Sequence, residues 1–138
     1  MIEPRGSVST EQAAEICGCS VKDVEEYRRS VLPRPPGAVP DAKQFSASEV
    51  VAIATATRIK SWPCRKTALP FAARLALRPS NDREWLVVYQ PRRGLRFEPP
   101  GFVLRIKYVN DRAGRIFDPS PFFDAFDRLE AASKAAEG

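Results

Sequence analysis

The sequence predicts an α+β fold, with helices in residues 1–80 and a small antiparallel sheet plus a final helix in residues 81–138. In the first part, apolar residues recur at helical spacing behind serines that can cap helices. From about residue 85 to residue 118, apolar and polar residues alternate, as in half-buried strands. The last segment returns to helical spacing. We therefore divide the chain at residue 80 into an N-terminal helical module and a C-terminal module for dimerisation or partner binding.

Two short helices joined by a glycine are predicted near the N terminus. Ser9 or Thr10 can cap the first helix, and Gly18 can adopt the positive φ of a tight turn. Ser20 can cap the second helix, with Asp23 three positions later completing a capping box. The apolar positions expected on the inner face of this second helix are Val21, Val24 and Tyr27.

Two further helices follow a proline-rich segment, residues 31–44. Ser46 and Glu49 form a capping box at the start of a strongly apolar core helix. A fourth, basic helix is predicted from about Arg65 to Leu77, with Pro70 either bending it or marking its start. The positions of this helix expected to be buried are Leu69, Ala72, Ala73, Ala76 and Leu77.

The second module is predicted to be a small antiparallel β meander with a short amphipathic helix. Turn-forming residues separate four alternating runs, residues 85–90, 95–99, 102–109 and 115–118, so each strand is expected to pair with the next. The closing helix carries an apolar stripe made of Phe122, Phe123, Phe126 and Leu129. These side chains either cover the apolar face of the sheet or form a contact with a second copy or a partner protein.

Composition narrows the possible functions. The chain has no histidine, which is the commonest general base near neutral pH and the commonest metal ligand, and its acidic residues form no recognisable catalytic constellation. We therefore expect no enzyme activity, no metal and no cofactor. The chain has an odd number of cysteines, no signal-peptide pattern and no apolar run near the ~20 residues that cross a bilayer, which predicts a cytoplasmic protein.

Positive charge is concentrated in the middle of the chain. The net charge is +5, and the segment 58–78 contains basic residues but no acidic one. Its cations, which form either a track for phosphates or the solvated face of a helix, are Arg58, Lys60, Arg65, Lys66, Arg74 and Arg78. The cations of the strand region, which face either a polyanion or an acidic protein surface, are Arg92, Arg93, Arg96, Arg105 and Lys107. This distribution favours a polyanionic partner.

The order of elements in the first module resembles a known DNA-binding domain. The segments that carry the resemblance are "AAEICGCS", "EEYRRSVLPRP" and "KQFSASEVVAIATATRI". They follow the plan helix, glycine turn, helix, proline-containing wing, capped third helix and basic fourth helix. Residues 7–78 are therefore similar to the MerR-like winged helix-turn-helix DNA-binding domain.

The resemblance implies that the second helix enters the major groove of double-stranded DNA, while the wing and the fourth element contact the phosphate backbone. Carried over by position, the recognition helix supplies Ser20, Lys22, Tyr27, Arg28 and Arg29, the wing supplies Lys43, and the last element supplies Arg65 and Lys66. The chain departs from the family in two ways. Glu25 and Glu26 stand where the family commonly has an arginine, and the long coiled-coil dimerisation helix is missing.

Three functions follow as alternatives. The first is a sequence-specific transcriptional regulator that binds double-stranded DNA as a homodimer and represses by blocking a promoter. The second is a phage-type excisionase or DNA-packaging protein that bends or marks DNA. The third is an antitoxin or adaptor that binds a protein, for which Glu25 and Glu26 are the best support. Because the family includes metal and oxidant sensors, Cys17 and Cys19 are either sensing residues or core contacts.

Overall fold

A computed structural model of the chain describes residues 8–32, 44–62, 65–79, 81–90, 94–100 and 115–137. The α+β class is confirmed, because helices and small antiparallel sheets both occur. The helices are α1 (Thr10–Cys17), α2 (Val21–Ser30), α3 (Ala47–Ile59), α4 (Arg65–Ala76) and α5 (Ser120–Glu137). The strands are β1 (Val8–Ser9), β2 (Gln44–Phe45), β3 (Leu86–Gln90), β4 (Gly94–Glu98) and β5 (Arg115–Phe117). Across these residues, no helix has both the length and the apolar character needed to cross a membrane.

Three serines begin the first three helices with capping boxes, and the boxes of the second and third helices were predicted. Ser9, rather than Thr10, caps α1: its hydroxyl accepts from the Gln12 amide at 3.2 Å, and the Gln12 side chain accepts from the Ser9 amide at 2.9 Å. The same exchange begins α2 and α3, through the pairs Ser20 with Asp23 and Ser46 with Glu49. Each box satisfies two amide donors that the first helical turn leaves unpaired, so local sequence determines where these helices begin.

Gly18 ends α1 and makes the tight turn into α2. Its φ of 69° lies in the left-handed region, and a Cβ at this position would meet no atom within 4 Å. The strain of a substitution therefore comes from the backbone alone. We expect Gly18→Ala to lower the free energy of unfolding by about 1–2 kcal/mol in chemical denaturation. Gly18→Asn is the control and should lose less, because asparagine tolerates this region; an equal loss would contradict the explanation.

Helix α3 is the centre of the core. Ala47, Ser48, Ile59 and every residue from Val50 to Ala56 are buried. The buried hydroxyl of Thr55 donates to the Val51 carbonyl at 2.7 Å, so it does not lose its hydrogen bond on burial. Helices α1, α2, α4 and α5 all contact α3. The predicted core helix is confirmed.

Helix α4 is rotated relative to the sequence prediction. From residue 69 to its end at Ala76, the fully buried side chains are Phe71, Ala72 and Leu75. Leu69 and Leu77 are 42% and 70% exposed, so the prediction that both are buried is wrong. The largest apolar side chain determines which face is buried, because Phe71 stacks on Phe97 of β4 with ring centroids 4.7 Å apart. Pro70 lies inside the helix and does not mark its start.

The sheet does not have the strand order of a simple meander. Strand β3 lies between β4 and β5 and is antiparallel to both. The predicted pairing of β3 with β4 is confirmed, and β3 also pairs with β5, which a simple meander does not predict. Leu86, Val87 and Val88 are consecutive and all buried, so both faces of β3 are covered. The predicted strand 102–109 lies outside the described residues.

Helix α5 packs against both predicted modules. It spans 18 residues and is longer than the short helix predicted. Phe123 and Phe126 are 3% and 2% exposed, while Phe122 and Leu129 are half-buried. The helix contacts α1, α3 and β1, and Phe123 packs edge-on against Trp85, with ring centroids 6.1 Å apart. One hydrophobic core therefore extends across the predicted boundary at residue 80.

Candidate nucleic-acid interface

Helix α2 presents most of its surface to solvent. Val24 is its fully buried residue, and Tyr27 is half-buried against the core. Val21, predicted to lie on the inner face, is 42% exposed, so that prediction is wrong. The core covers only a narrow stripe through Val24 and Tyr27, and Val21, at the first helical position, falls outside it. The rest of the helix is available for contact with a partner.

The cations of α2 differ in their surroundings. Lys22 and Arg29 are exposed and lie two turns apart on one face of the helix. Arg28 is half-buried, and its guanidinium donates to the Glu25 carboxylate at 2.7 Å. The charge of Glu25 is therefore compensated within the helix. The helix carries no net charge. Its three cations, Lys22, Arg28 and Arg29, balance three carboxylates, Asp23, Glu25 and Glu26.

The other predicted contact residues lie at the ends of helices or outside the described residues. Ser20 caps α2, and its hydroxyl accepts from the Asp23 amide at 3.1 Å. Arg65 and Lys66 are the first two residues of α4. Lys43 precedes β2 and lies outside the described residues. Lys22, Tyr27, Arg28 and Arg29 thus lie on α2, and Ser20 caps it, whereas the other predicted contact residues belong to other elements.

A groove of about 420 Å³ runs beside α2. It is lined by Asp23, Glu26, Tyr27 and Ser30 of α2, by Ala56 of α3, by Lys60 and by Leu69 of α4. The four α2 residues follow the spacing i, i+3, i+4, i+7 and so share one face, next to the face of Lys22 and Arg29. The sequence analysis did not predict this groove. The spacing of these four residues was a signal that could have indicated the α2 side of it.

One cation of the basic segment 58–78, Arg78, is held by contacts within the chain. Its exposed cations include Arg58, Lys60 and Arg74. Arg78 instead pairs with Asp82 at 2.6 Å, and its guanidinium lies 4.5 Å from the Phe97 ring centroid and 5.7 Å from that of Trp85. An arginine stacked and paired in this way stabilises the contact between α4 and the sheet. The proposed phosphate track therefore does not extend to Arg78.

Of the five predicted cations of the strand region, the structure describes Arg96. Arg96 contacts Glu98 at 2.6 Å and also donates to the Gln90 side chain. The remaining cations of this region, Arg92, Arg93, Arg105 and Lys107, lie outside the described residues. Arg96 is thus held by neighbours within the sheet.

The chain matches no family model, no curated protein and no solved structure. What the α2 surface does must therefore be inferred from its shape and charge. An exposed helix fits the width of the major groove, and two aligned cations can contact the phosphates that border it.

Both described cysteines are poorly suited to redox or metal chemistry. Burial raises the pKa of the Cys17 thiol far above its ordinary range, and the Cys17 Sγ donates to the Val50 carbonyl at 3.4 Å. Burial, and secondly the Asp23 carboxylate, also raise the pKa of Cys19. Both thiols therefore stay protonated at neutral pH. The thiolate, which is the form that reacts and binds metals, is disfavoured. Within the described ranges, no group of three or more potential metal ligands lies together.

Proposed function

We propose that this chain is a sequence-specific, double-stranded DNA-binding transcriptional regulator whose α2 helix enters the major groove. The observation that carries the proposal is the outward presentation of α2, which is anchored by Val24 and follows α1 through the left-handed turn at Gly18. This is the arrangement by which a helix-turn-helix exposes its recognition helix. Repression by blocking a promoter is the simplest mechanism for a chain of this length.

The pairing of β1 with β2 supports a winged form of this domain. Val8 lies opposite Phe45, and Ser9 lies opposite Gln44. The chain before α1 is thereby joined to the chain before α3, with residues 31–43 connecting α2 to β2. A MerR-like domain has its wing between its second and third helices. We therefore assign Lys43 to the wing, where it would contact the phosphate backbone of DNA.

The surroundings of the charged residues of α2 support two different roles for them. The exposed pair Lys22 and Arg29 contacts DNA, while Arg28 holds Glu25 so that its carboxylate does not oppose the phosphates. Arg65 and Lys66, at the start of α4, add phosphate contacts. A homodimer would then recognise two half-sites about one helical turn of DNA apart, or a multiple of that distance.

Removing Lys22 or Arg29 tests the proposal. If each neutralises one phosphate, Lys22→Ala and Arg29→Ala should each reduce the slope of log affinity against log salt by about 0.9. The measurement is a fluorescence anisotropy titration of labelled genomic fragments, including the upstream region, at several salt concentrations. Arg128→Ala, which removes an exposed cation from α5, is the matched control and should leave the slope unchanged. Absence of binding to any fragment, or unchanged slopes for both variants, would overturn the assignment.

A second candidate function is favoured by the groove beside α2. Asp23 and Glu26 place two carboxylates at its edge, and carboxylates repel the phosphates of DNA. A protein-binding adaptor or antitoxin would use this acidic side of α2 instead of the Lys22 and Arg29 side. Glu26→Gln would then weaken binding to the protein partner, whereas in a DNA-binding protein it would strengthen binding to every duplex. The excisionase and packaging alternatives remain predictions that a DNA-bending assay tests.

A further inference from the structure

Three charged side chains form one outward-facing row on α2. Lys22, Glu26 and Arg29 follow the spacing i, i+4, i+7, so they lie along one face of the helix. All three are exposed, and the fully buried Val24 lies on the opposite side of the helix. We call Lys22, Glu26 and Arg29 the α2 row. It is the part of the helix that a partner in front of α2 meets first.

The charges of the α2 row are not used within the described part of the chain, where none of its three side chains forms an ion pair or a hydrogen bond. Lys60 lines the groove beside Glu26, yet the two are not within ion-pair distance there. The other carboxylates of α2 are engaged. Glu25 accepts from Arg28 at 2.7 Å, and Asp23 accepts from a backbone amide in the capping box that begins the helix. Glu26 is therefore the carboxylate of α2 that is left for a partner.

The order of charges in the α2 row suits the major groove of DNA. Lys22 and Arg29 are about 10 Å apart along the helix, so their side chains can reach phosphates on either side of the base edges that Glu26 meets. The same two cations offset the repulsion between the Glu26 carboxylate and the phosphates. The ends of the row are thus placed for the DNA backbone, and its middle is placed for the bases.

The chemistry of a carboxylate determines which base it can recognise. An ionised carboxylate accepts hydrogen bonds and donates none. In the major groove, cytosine presents its N4 amino donor, whereas guanine and thymine present acceptors, which repel a carboxylate. Adenine presents an amino donor beside the N7 acceptor, so a carboxylate matches only half of its edge. Cytosine is therefore the base that suits a carboxylate best.

We propose that Glu26 selects cytosine in the half-site that α2 recognises, by accepting a hydrogen bond from the N4 amino group. The inference rests on the proposed DNA binding by α2 and identifies a base that this helix reads. Lys22 and Arg29 contribute affinity for all duplexes, because phosphates carry no sequence information. Glu26 instead discriminates between duplexes.

Selection of binding sites from a library of random duplexes, followed by sequencing, tests this role. The wild-type protein should enrich sites with cytosine at one fixed position of the half-site. Glu26→Gln should move the preference at that position towards adenine, because an amide both accepts from N6 and donates to N7. In anisotropy titrations of two duplexes that differ only at this position, the ratio of affinity for cytosine to affinity for adenine should fall by about tenfold or more. The ratio is the measure, because loss of a carboxylate strengthens binding to both duplexes.

Glu25→Gln is the matched control for this experiment. It removes the same charge from the same helix, but the Glu25 carboxylate is half-buried and held by Arg28, so the cytosine preference should remain. Enriched sites without a fixed cytosine, or a Glu26→Gln variant that enriches the wild-type sites, would refute the role of Glu26 and leave DNA binding by α2 standing. A wild-type protein that enriches no sequence would refute the proposed function, and the role of Glu26 with it.

Discussion

Replacing Phe126 with aspartate is expected to unfold the protein rather than to separate a dimer. Phe126 is 2% exposed in the core between α5 and the first module. Removing a buried phenylalanine costs about 3–5 kcal/mol, and burying a carboxylate without a partner adds several more. This total approaches the whole stability of a small domain, about 5–15 kcal/mol. Circular dichroism should therefore show loss of helix and of the cooperative thermal transition.

The same charge at an exposed position of α5 provides the control for this experiment. Ala131 is exposed, and Ala131→Asp should leave the fold intact with a loss of less than about 1 kcal/mol from helix propensity. If Phe126→Asp instead remained folded and became monomeric, Phe126 would be a contact between copies. That outcome would contradict the buried position of its ring.

A chain that ends at residue 80 is expected not to fold. It would lose side chains that fill the core around α3 and α4, including Val87, Phe117, Phe123 and Phe126. At about 1.5–3 kcal/mol for each fully buried side chain, their loss amounts to roughly 6–12 kcal/mol, comparable with the stability of a whole domain. Amide resonances of the fragment should be poorly dispersed in a two-dimensional NMR spectrum.

A chain that ends at residue 132 is the matched control for this truncation. It keeps Phe123 and Phe126 and should retain dispersed resonances and cooperative unfolding. If residues 1–80 folded cooperatively alone, the N-terminal module would be an independent domain. The core that continues across residue 80 would then be a contact between two stable units.

Local signals in the sequence were sufficient to predict the helix starts. The box formed by Ser46 and Glu49 begins α3, and Gly18 ends α1, as expected. These features depend on residues within one turn of each other, so the local sequence is enough to locate them. The core character of α3 was also predictable, because nearly every residue after its first turn is apolar.

Features that depend on distant residues were not predictable from the sequence. The rotation of α4 is determined by the stacking of Phe71 on Phe97, which lie on different elements. The central position of β3 depends on its pairing with β5, across a long intervening segment. In the candidate site, Arg28 was predicted to contact DNA, but its ion pair with Glu25 gives it a second role. The groove requires three helices to meet, and α2 alone indicates only one of its sides.

The contrast between α2 and α3 has a consequence for how this protein can evolve. Since only Val24 of α2 is fully buried, mutations over most of that helix change the contact surface at little cost in stability. In α3, which has close-packed neighbours on nearly every side, a change of even one methylene alters the packing and lowers the stability. Descendants of this chain can therefore acquire new binding specificity through α2 while α3 keeps the fold constant. The proposed recognition helix is free to diverge because a different helix holds the structure.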